Sequence, residues 1–217
     1  MQTSPISKLD KVTVLQKFIP AEAAPLIVKW IDHYQVALKI TRNRNSKLGD
    51  YRHPYGKAGH RISVNHNLNC YSFLITLVHE FAHMLNWNRH KNKVKPHGLE
   101  WKQAFQEMMA PFFEMNIFPE DILLALKAYM NNPAASSCSD VKLMRVLKQY
   151  DRKQEDMVTV ETLPLNAFFA MKNGRKFQKL ELIRKRYRCV ELSTRRMYLF
   201  NPLAEVKDLS ALEQESA

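Results

Sequence analysis

An α+β fold in two parts is the expectation this sequence raises: helices packed on a small antiparallel sheet over residues 1–132, then a small basic all-β module over 140–209. Three observations carry it. Apolar side chains recur at helical spacing around 22–34, 71–87, 99–108 and 120–130. Short alternating runs at 36–41, 48–52 and 61–65 fall between the first two of these. A stretch rich in Asn, Pro, Ala and Ser, 131–137, is followed by a segment whose period changes to two.

Taken in order, the first helix carries Ala24, Leu26, Ile27, Trp30 and Ile31 at helical spacing, with Pro25 tolerated in its opening turn. The strands at 36–41 and 48–52 flank the polar run Arg42-Asn43-Arg44-Asn45-Ser46, which predicts a hairpin. Glycines and a proline mark 53–60 as a loop, so His53 and His60 read as exposed loop residues rather than ligands. Along 71–87, Ser72, Thr76, His79, Glu80, His83 and Trp87 share one narrow stripe, and Leu74, Leu77, Val78, Phe81 and Leu85 the opposite one, so an amphipathic helix is expected. Pro96 and Gly98 punctuate the chain before the next helix, whose apolar positions are Leu99, Trp101, Ala104, Phe105 and Met108. Pro111 interrupts that pattern, and Pro119-Glu120-Asp121 opens a helix with Ile122, Leu123, Leu126 and Tyr129 on its apolar face. A linker is expected at 133–139 and a tail at 210–217. Within the module, Asn173-Gly174 predicts a type I′ hairpin between 167–171 and 175–177, followed by strands near 184–192 and 196–200.

The chemistry concentrates at His79-Glu80-Phe81-Ala82-His83, an HExxH motif. One helical turn separates the histidines, so both imidazoles leave one face and reach one cation, with Glu80 beside them. Three protein ligands and an open position lower the pKa of a zinc-bound water to about 7, where a carboxylate can take its proton. Three fixed letters recur by chance in roughly one or two of a hundred such chains, so the helical context is what gives the motif weight. For the third ligand there are two candidates. His90 lies in the polar, basic run 88–93, which reads as a solvated helix end, whereas His97 sits in a punctuated loop able to fold back over the motif helix, and is preferred.

These residues resemble the SprT-like, or Spartan-type, zinc metalloprotease family. The likeness rests on His79-Glu80-Phe81-Ala82-His83, the basic connector and Pro96-His97-Gly98-Leu99-Glu100-Trp101, with similar upstream strands at Lys47-Leu48-Gly49-Asp50-Tyr51 and Arg61-Ile62-Ser63-Val64-Asn65, and covers roughly 20–115. It implies a zincin-like domain, one catalytic Zn²⁺ held by His79, His83 and His97, Glu80 as catalytic base, and an endopeptidase acting on DNA-associated or DNA-crosslinked proteins in crosslink repair. The chain departs from the family where many members carry a cysteine-paired zinc ribbon. Tyr187-Arg188-Cys189 resembles a remnant of it, yet the partner thiols are missing, which leaves a zinc-free β module to grip DNA or cover the active-site cleft. The oxyanion-stabilising group stays unassigned among names such as Tyr51, Tyr55 and His66.

Composition fits this reading. Three cysteines, Cys70, Cys138 and Cys189, are too few and too far apart for a disulfide framework or a CxxC site, and point to a reducing compartment. No apolar run reaches the roughly 18 residues of a membrane span, nor does the start read as a signal peptide, so a soluble cytoplasmic protein is expected, nucleoid-associated if DNA is its partner. A formal charge of +12 favours polyanionic partners. Candidate nucleic-acid contacts in the module are Arg175, Lys176, Arg184, Arg186, Arg188, Arg195 and Arg196, with 184, 186 and 188 on one strand face; Phe177, Tyr187, Tyr198 and Phe200 read as core rather than as base-stacking platforms. The alternative function is a nucleic-acid-binding protein whose zinc site is structural or vestigial.

Overall fold

The computed structural model describes residues 8–44, 47–134, 140–152 and 156–209; the expected tail 210–217, the linker residues 135–139 and Asn45 and Ser46 of the polar turn lie outside the described residues. Two compact units divide the chain, Met1–Asp151 and Arg152–Ala217.

Among the described residues the first unit contains the α-helices and strands α1 (Lys8–Leu15), α2 (Ala24–His33), β1 (Ala37–Thr41), β2 (Gly49–Arg52), β3 (Arg61–Asn65), α3 (Cys70–His90), α4 (Leu99–Glu114), α5 (Glu120–Met130) and α6 (Val141–Lys148). The sheet order is β1-β3-β2, with β1 and β3 parallel and β2 and β3 antiparallel. The predicted β1–β2 hairpin and wholly antiparallel sheet are therefore corrected: β3 lies between the two strands. Asn65, fully buried at the end of β3, explains how the chain passes over. It accepts from Arg44 Nε at 2.8 Å and donates to the carbonyls of Arg44 and Lys47 at 3.1 and 3.0 Å, so it clamps both ends of the connection leading into β2.

Helix α3 is also more central than its periodicity implied. Every residue from Ser72 to Ala82 is buried. Its apolar face packs into a core with Ile27, Phe105 and Phe112, and of its polar stripe Thr76 and Glu80 lie against β2 while His79 packs on Trp101 and Phe105. Asn69 caps the helix by accepting from Ser72 N at 2.9 Å, while its amide donates to Leu147 O and Asp151. Helix α4 runs through Pro111 to Glu114 rather than stopping at the proline. Helix α6, placed by the sequence reading in the β module, belongs instead to the first unit: Asp140 caps it, and Leu143 and Leu147 are buried in the first core. The boundary moves accordingly from 133–139 to Asp151/Arg152.

In the second unit, β4 (Val158–Thr159), β5 (Phe168–Ala170), β6 (Lys176–Ile183), β7 (Arg186–Glu191), β8 (Met197–Phe200) and β9 (Glu205–Asp208) pair antiparallel in the order β4-β9-β5-β6-β7-β8. Strands β4 and β9 were not expected. The Asn173-Gly174 loop joins β5 and β6, but not as a type I′ turn. Gly174 N bonds Met171 O and Met171 N bonds Arg175 O, both at 2.9 Å, and of the loop residues only Gly174 has positive φ, 83°. That is a three-residue loop, a type I turn closed by a left-handed glycine. Phe169, Phe177, Cys189 and Val206 form the core with Tyr187, Tyr198 and Phe200 packed against it, so the aromatics are structural. Among the described residues no helix is long and apolar enough to cross a membrane.

Candidate metal centre

Helix α3 and the turn before α4 build the site. On α3, His79 and His83 stand one turn apart and bring their Nε2 atoms to 3.2 Å. His97 reaches them because the turn after α3 folds back: Gly98 N bonds Lys95 O at 3.0 Å, His97 adopts φ 59°, and Gly98 opens α4 in an extended conformation. Its ring centroid lies 4.5 Å from that of His83 and 5.4 Å from that of His79. Beneath all three, the fully buried Trp101 ring packs at 4.6–5.3 Å, one turn into α4. Ligand atoms of the three histidines all fall within 4.8 Å of one another, the one such cluster among the described residues.

A zinc ion fits these residues. Two nitrogens about 2.05 Å from a tetrahedral zinc lie roughly 3.3 Å apart, close to the spacing seen on α3. A hydrogen bond between His79 and His83 alone would leave the buried His97 Nε2 without a partner, whereas a shared cation uses all three rings. Burial, then the neighbouring imidazoles, pushes His79 down to about 2 and His83 to about 3, and burial lowers His97 as well. All three are thus neutral at physiological pH, the form that coordinates a metal.

Glu80, the residue after His79, packs against β2. Its carboxylate is 6% exposed and accepts the backbone N–H of Tyr51. Burial, then the Asp50 charge, pushes it up to about 8. Gly49 is what allows β2 to come so close. A Cβ there would stand 2.3 Å from Glu80 Oε1 and 2.8 Å from Thr76 Cγ2, so only hydrogen fits. Sequence reasoning did not assign this role, because the contact joins strand and helix across 31 positions; a glycine inside a strand pattern was the available signal. Tyr51 continues the second layer: its ring stacks on His83 at 6.5 Å and its hydroxyl bonds His60 Nδ1 at 2.9 Å.

The remaining candidates fall elsewhere. His90 ends α3 outside the cluster, Tyr55 is 81% exposed, and His66 bonds Thr41 O. His53 stacks on Trp87, and His60 stacks on Tyr51 and meets Trp87 edge-on, so both are engaged with aromatic rings beside the site. In the second unit, Lys176, Arg186, Arg195 and Arg196 are exposed. Arg184 occupies the β6–β7 turn with φ 56°, which corrects its placement on one strand face with 186 and 188. Arg175 bonds the buried Glu191 at 2.7 Å and Arg188 pairs with Glu181, so these two are already partnered. Lys179 is withdrawn from the surface, donating to the carbonyls of Leu163 and Glu161.

Residues 29–120, which span β1 to β3, the motif helix, the His97 turn and α4, match the model of the SprT-like family, a zinc-metalloprotease-type family. Comparison with curated proteins and with solved structures finds no match.

Proposed function

We propose that this chain, whose residues 29–120 match the SprT-like family, is a zinc-dependent endopeptidase with a zincin-like catalytic domain, its metal held by His79, His83 and His97 and its general base Glu80. The observation that carries this reading is the convergence of three neutral imidazoles from α3 and the α4 turn next to a buried carboxylate of the same helix. When bound, zinc supplies Lewis acidity, making water at its open position acidic near pH 7 and polarising a peptide carbonyl. Glu80 takes the proton of the attacking water on a carboxylate oxygen and passes it to the departing amine nitrogen, serving first as base and then as acid. Tyr51 N–H holds that carboxylate from the strand side, and Gly49 leaves it room. Trp101 and Tyr51 fix the imidazole planes by packing, so the ligand geometry is preorganised.

Proteins bound or crosslinked to DNA are the substrate class we assign. Support comes from charge. The formal +12 is distributed over both units, and on the outer face of the β1-β3-β2 sheet Lys39, Arg44, Arg52 and Arg61 surround a cleft of about 420 Å³ with Asp50 as its acid. Exposed Lys176, Arg186, Arg195 and Arg196 add cations in the second unit.

Purified chain is expected to hold about one zinc and to cut a loosely folded protein, more strongly with DNA present; Glu80→Gln is expected to lose about 10²–10⁴-fold in rate with zinc retained. If zinc-loaded wild type and Glu80→Gln behave alike on every substrate and DNA form, the endopeptidase reading fails and a nucleic-acid-binding protein with a structural zinc takes its place. Cutting that ignores both DNA and salt would remove the DNA-bound substrate class alone.

A further inference from the structure

The two faces of the β1-β3-β2 sheet differ in chemistry. Gly49 and Tyr51 of β2 face α3, against Glu80 and His83, so the alternate residues Asp50 and Arg52 lie on the outer face. Strand register lines up two rows there, Ala37 with Arg61 and Arg52, then Lys39 with Ser63 and Asp50. Arg44 is fixed over the second row by neutral acceptors: its Nε donates to Asn65 Oδ1 at 2.8 Å and its Nη1 to Ser63 Oγ at 3.0 Å. Asp50 is the one acid in the lining of the cleft that these side chains share, and it already holds Lys47 at 2.7 Å and Arg52 at 3.0 Å. Lys39, Arg44 and Arg61 have no carboxylate partner among the described residues, which leaves the face with an uncompensated positive charge.

Arg52 and Arg61 are direct cross-strand partners, and like charges placed so cost stability. An anion between them turns that repulsion into charge-assisted hydrogen bonds. We propose that this outer face is a docking track for the phosphate backbone of duplex DNA, with phosphates at Arg52 and Lys39 and with Arg61 and Arg44 supplying fixed positive charge beside them. The inference deepens the DNA-bound substrate class proposed above and rests on it. Lys39 is exposed and 65% of the Arg52 side chain is accessible, so phosphates can reach both, whereas Arg44 and Arg61 are half-buried. No aromatic side chain lines the cleft, so the unstacked bases of a single strand find no platform there; a duplex, whose bases stay paired, needs none. An acidic protein segment finds few anchors, since Ile62 in the lining is 1% exposed. DNA and the peptide to be cut then lie on opposite faces of one sheet, and β2 serves both, Arg52 toward the backbone and Gly49 and Tyr51 toward Glu80.

The test titrates the full zinc-loaded chain into a short labelled duplex at a series of salt concentrations and follows fluorescence anisotropy. Lys39→Gln and Arg52→Gln should each lower the slope of log affinity against log salt by about 0.9 and weaken binding about tenfold at about 50 mM salt. Lys127→Gln, which removes the same charge from the exposed side of α5, should leave both at the wild-type level. Zinc content and thermal midpoint report that each variant keeps the fold. Wild-type binding that neither Lys39→Gln nor Arg52→Gln weakens overturns the track, while the DNA-bound substrate class stands on contacts elsewhere. Equal losses in all three variants make the effect one of net charge and overturn it too. So does a loss seen with single strands but not with the duplex, or tighter binding of poly-glutamate than of a duplex of equal charge, which would assign the face to acidic protein segments. Weakened duplex binding in both variants, combined with equal cutting of free and DNA-tethered protein by wild type, keeps the track and removes the substrate class. Wild type that binds no duplex even at low salt overturns both.

Discussion

Replacing Gly49 by alanine places one methyl group where the structure has no space for it. The added carbon would sit 2.3 Å from Glu80 Oε1, 2.9 Å from Glu80 Cδ and 2.8 Å from Thr76 Cγ2. Ordinary contact is about 3.5 Å, so strand or carboxylate must move by roughly 1 Å. Strand β2 is at the sheet edge and can give, but the Tyr51 N–H that holds Glu80 moves with it. A base displaced by about 1 Å is expected to cost on the order of 10²-fold in kcat/KM, or about 2.7 kcal/mol of transition-state stabilisation. Overpacking adds a loss of about 1–3 kcal/mol in stability. The three clustered histidines sit on α3 and in the turn before α4, not on β2, so zinc content should remain at the wild-type level. Steady-state cleavage of an unfolded protein, metal analysis and thermal unfolding of the same sample measure these three effects. Activity within threefold of wild type would refute the reasoning, and so would activity lost only in proportion to zinc.

Other consequences are open to measurement. His79 and His83 have folded pKa values pushed down to about 2 and 3 against an ordinary 6.5, so between those values the unfolded chain binds more protons; their contribution to stability is full above pH 6.5 and is lost as pH falls toward 3. Zinc is therefore expected to leave in step with acid unfolding seen by circular dichroism, and release complete near pH 5.5 with the fold intact would contradict it. Leu143→Ala should destabilise the first unit by about 2–5 kcal/mol in denaturant titrations, because α6 belongs to that core; an unchanged midpoint would return α6 to the linker. Asn65→Leu leaves the carbonyls of Arg44 and Lys47 without their buried donor and should lower activity together with stability, with zinc unchanged; preserved activity would mean that β2 does not depend on the clamp. Arg186→Ala should reduce the slope of log affinity for duplex DNA against log salt by about 0.9, and an unchanged slope removes Arg186 from the DNA contacts.

Much of the site was legible because helical geometry is local. Two histidines four apart must share a face, and a turn bounded by Pro96 and Gly98 gives His97 a way back, so the three histidines that converge could be named without coordinates. The Asn173-Gly174 loop was legible for the same reason, although its type was not: only Gly174 takes the left-handed conformation, and the closing hydrogen bonds run from Met171. Pairing partners are another matter. Strands β1 and β2 look like a hairpin because they are neighbours in sequence, yet Asn65 can clamp the connection only after β3 has come between them.

By itself, then, the sequence determined the chemistry: which side chains can hold a cation, which carboxylate stands beside them, and that the chain is strongly cationic. Those properties follow from residue type and short spacing, which chain connectivity sets. Tertiary structure alone decided that Thr76 and Glu80 of α3 are buried under β2, that Gly49 admits Glu80, and that α6 completes the first core. Each of these is a contact between residues far apart in the chain, and burial, with the acidity and hydrogen-bonding demand it imposes, exists only once such contacts close.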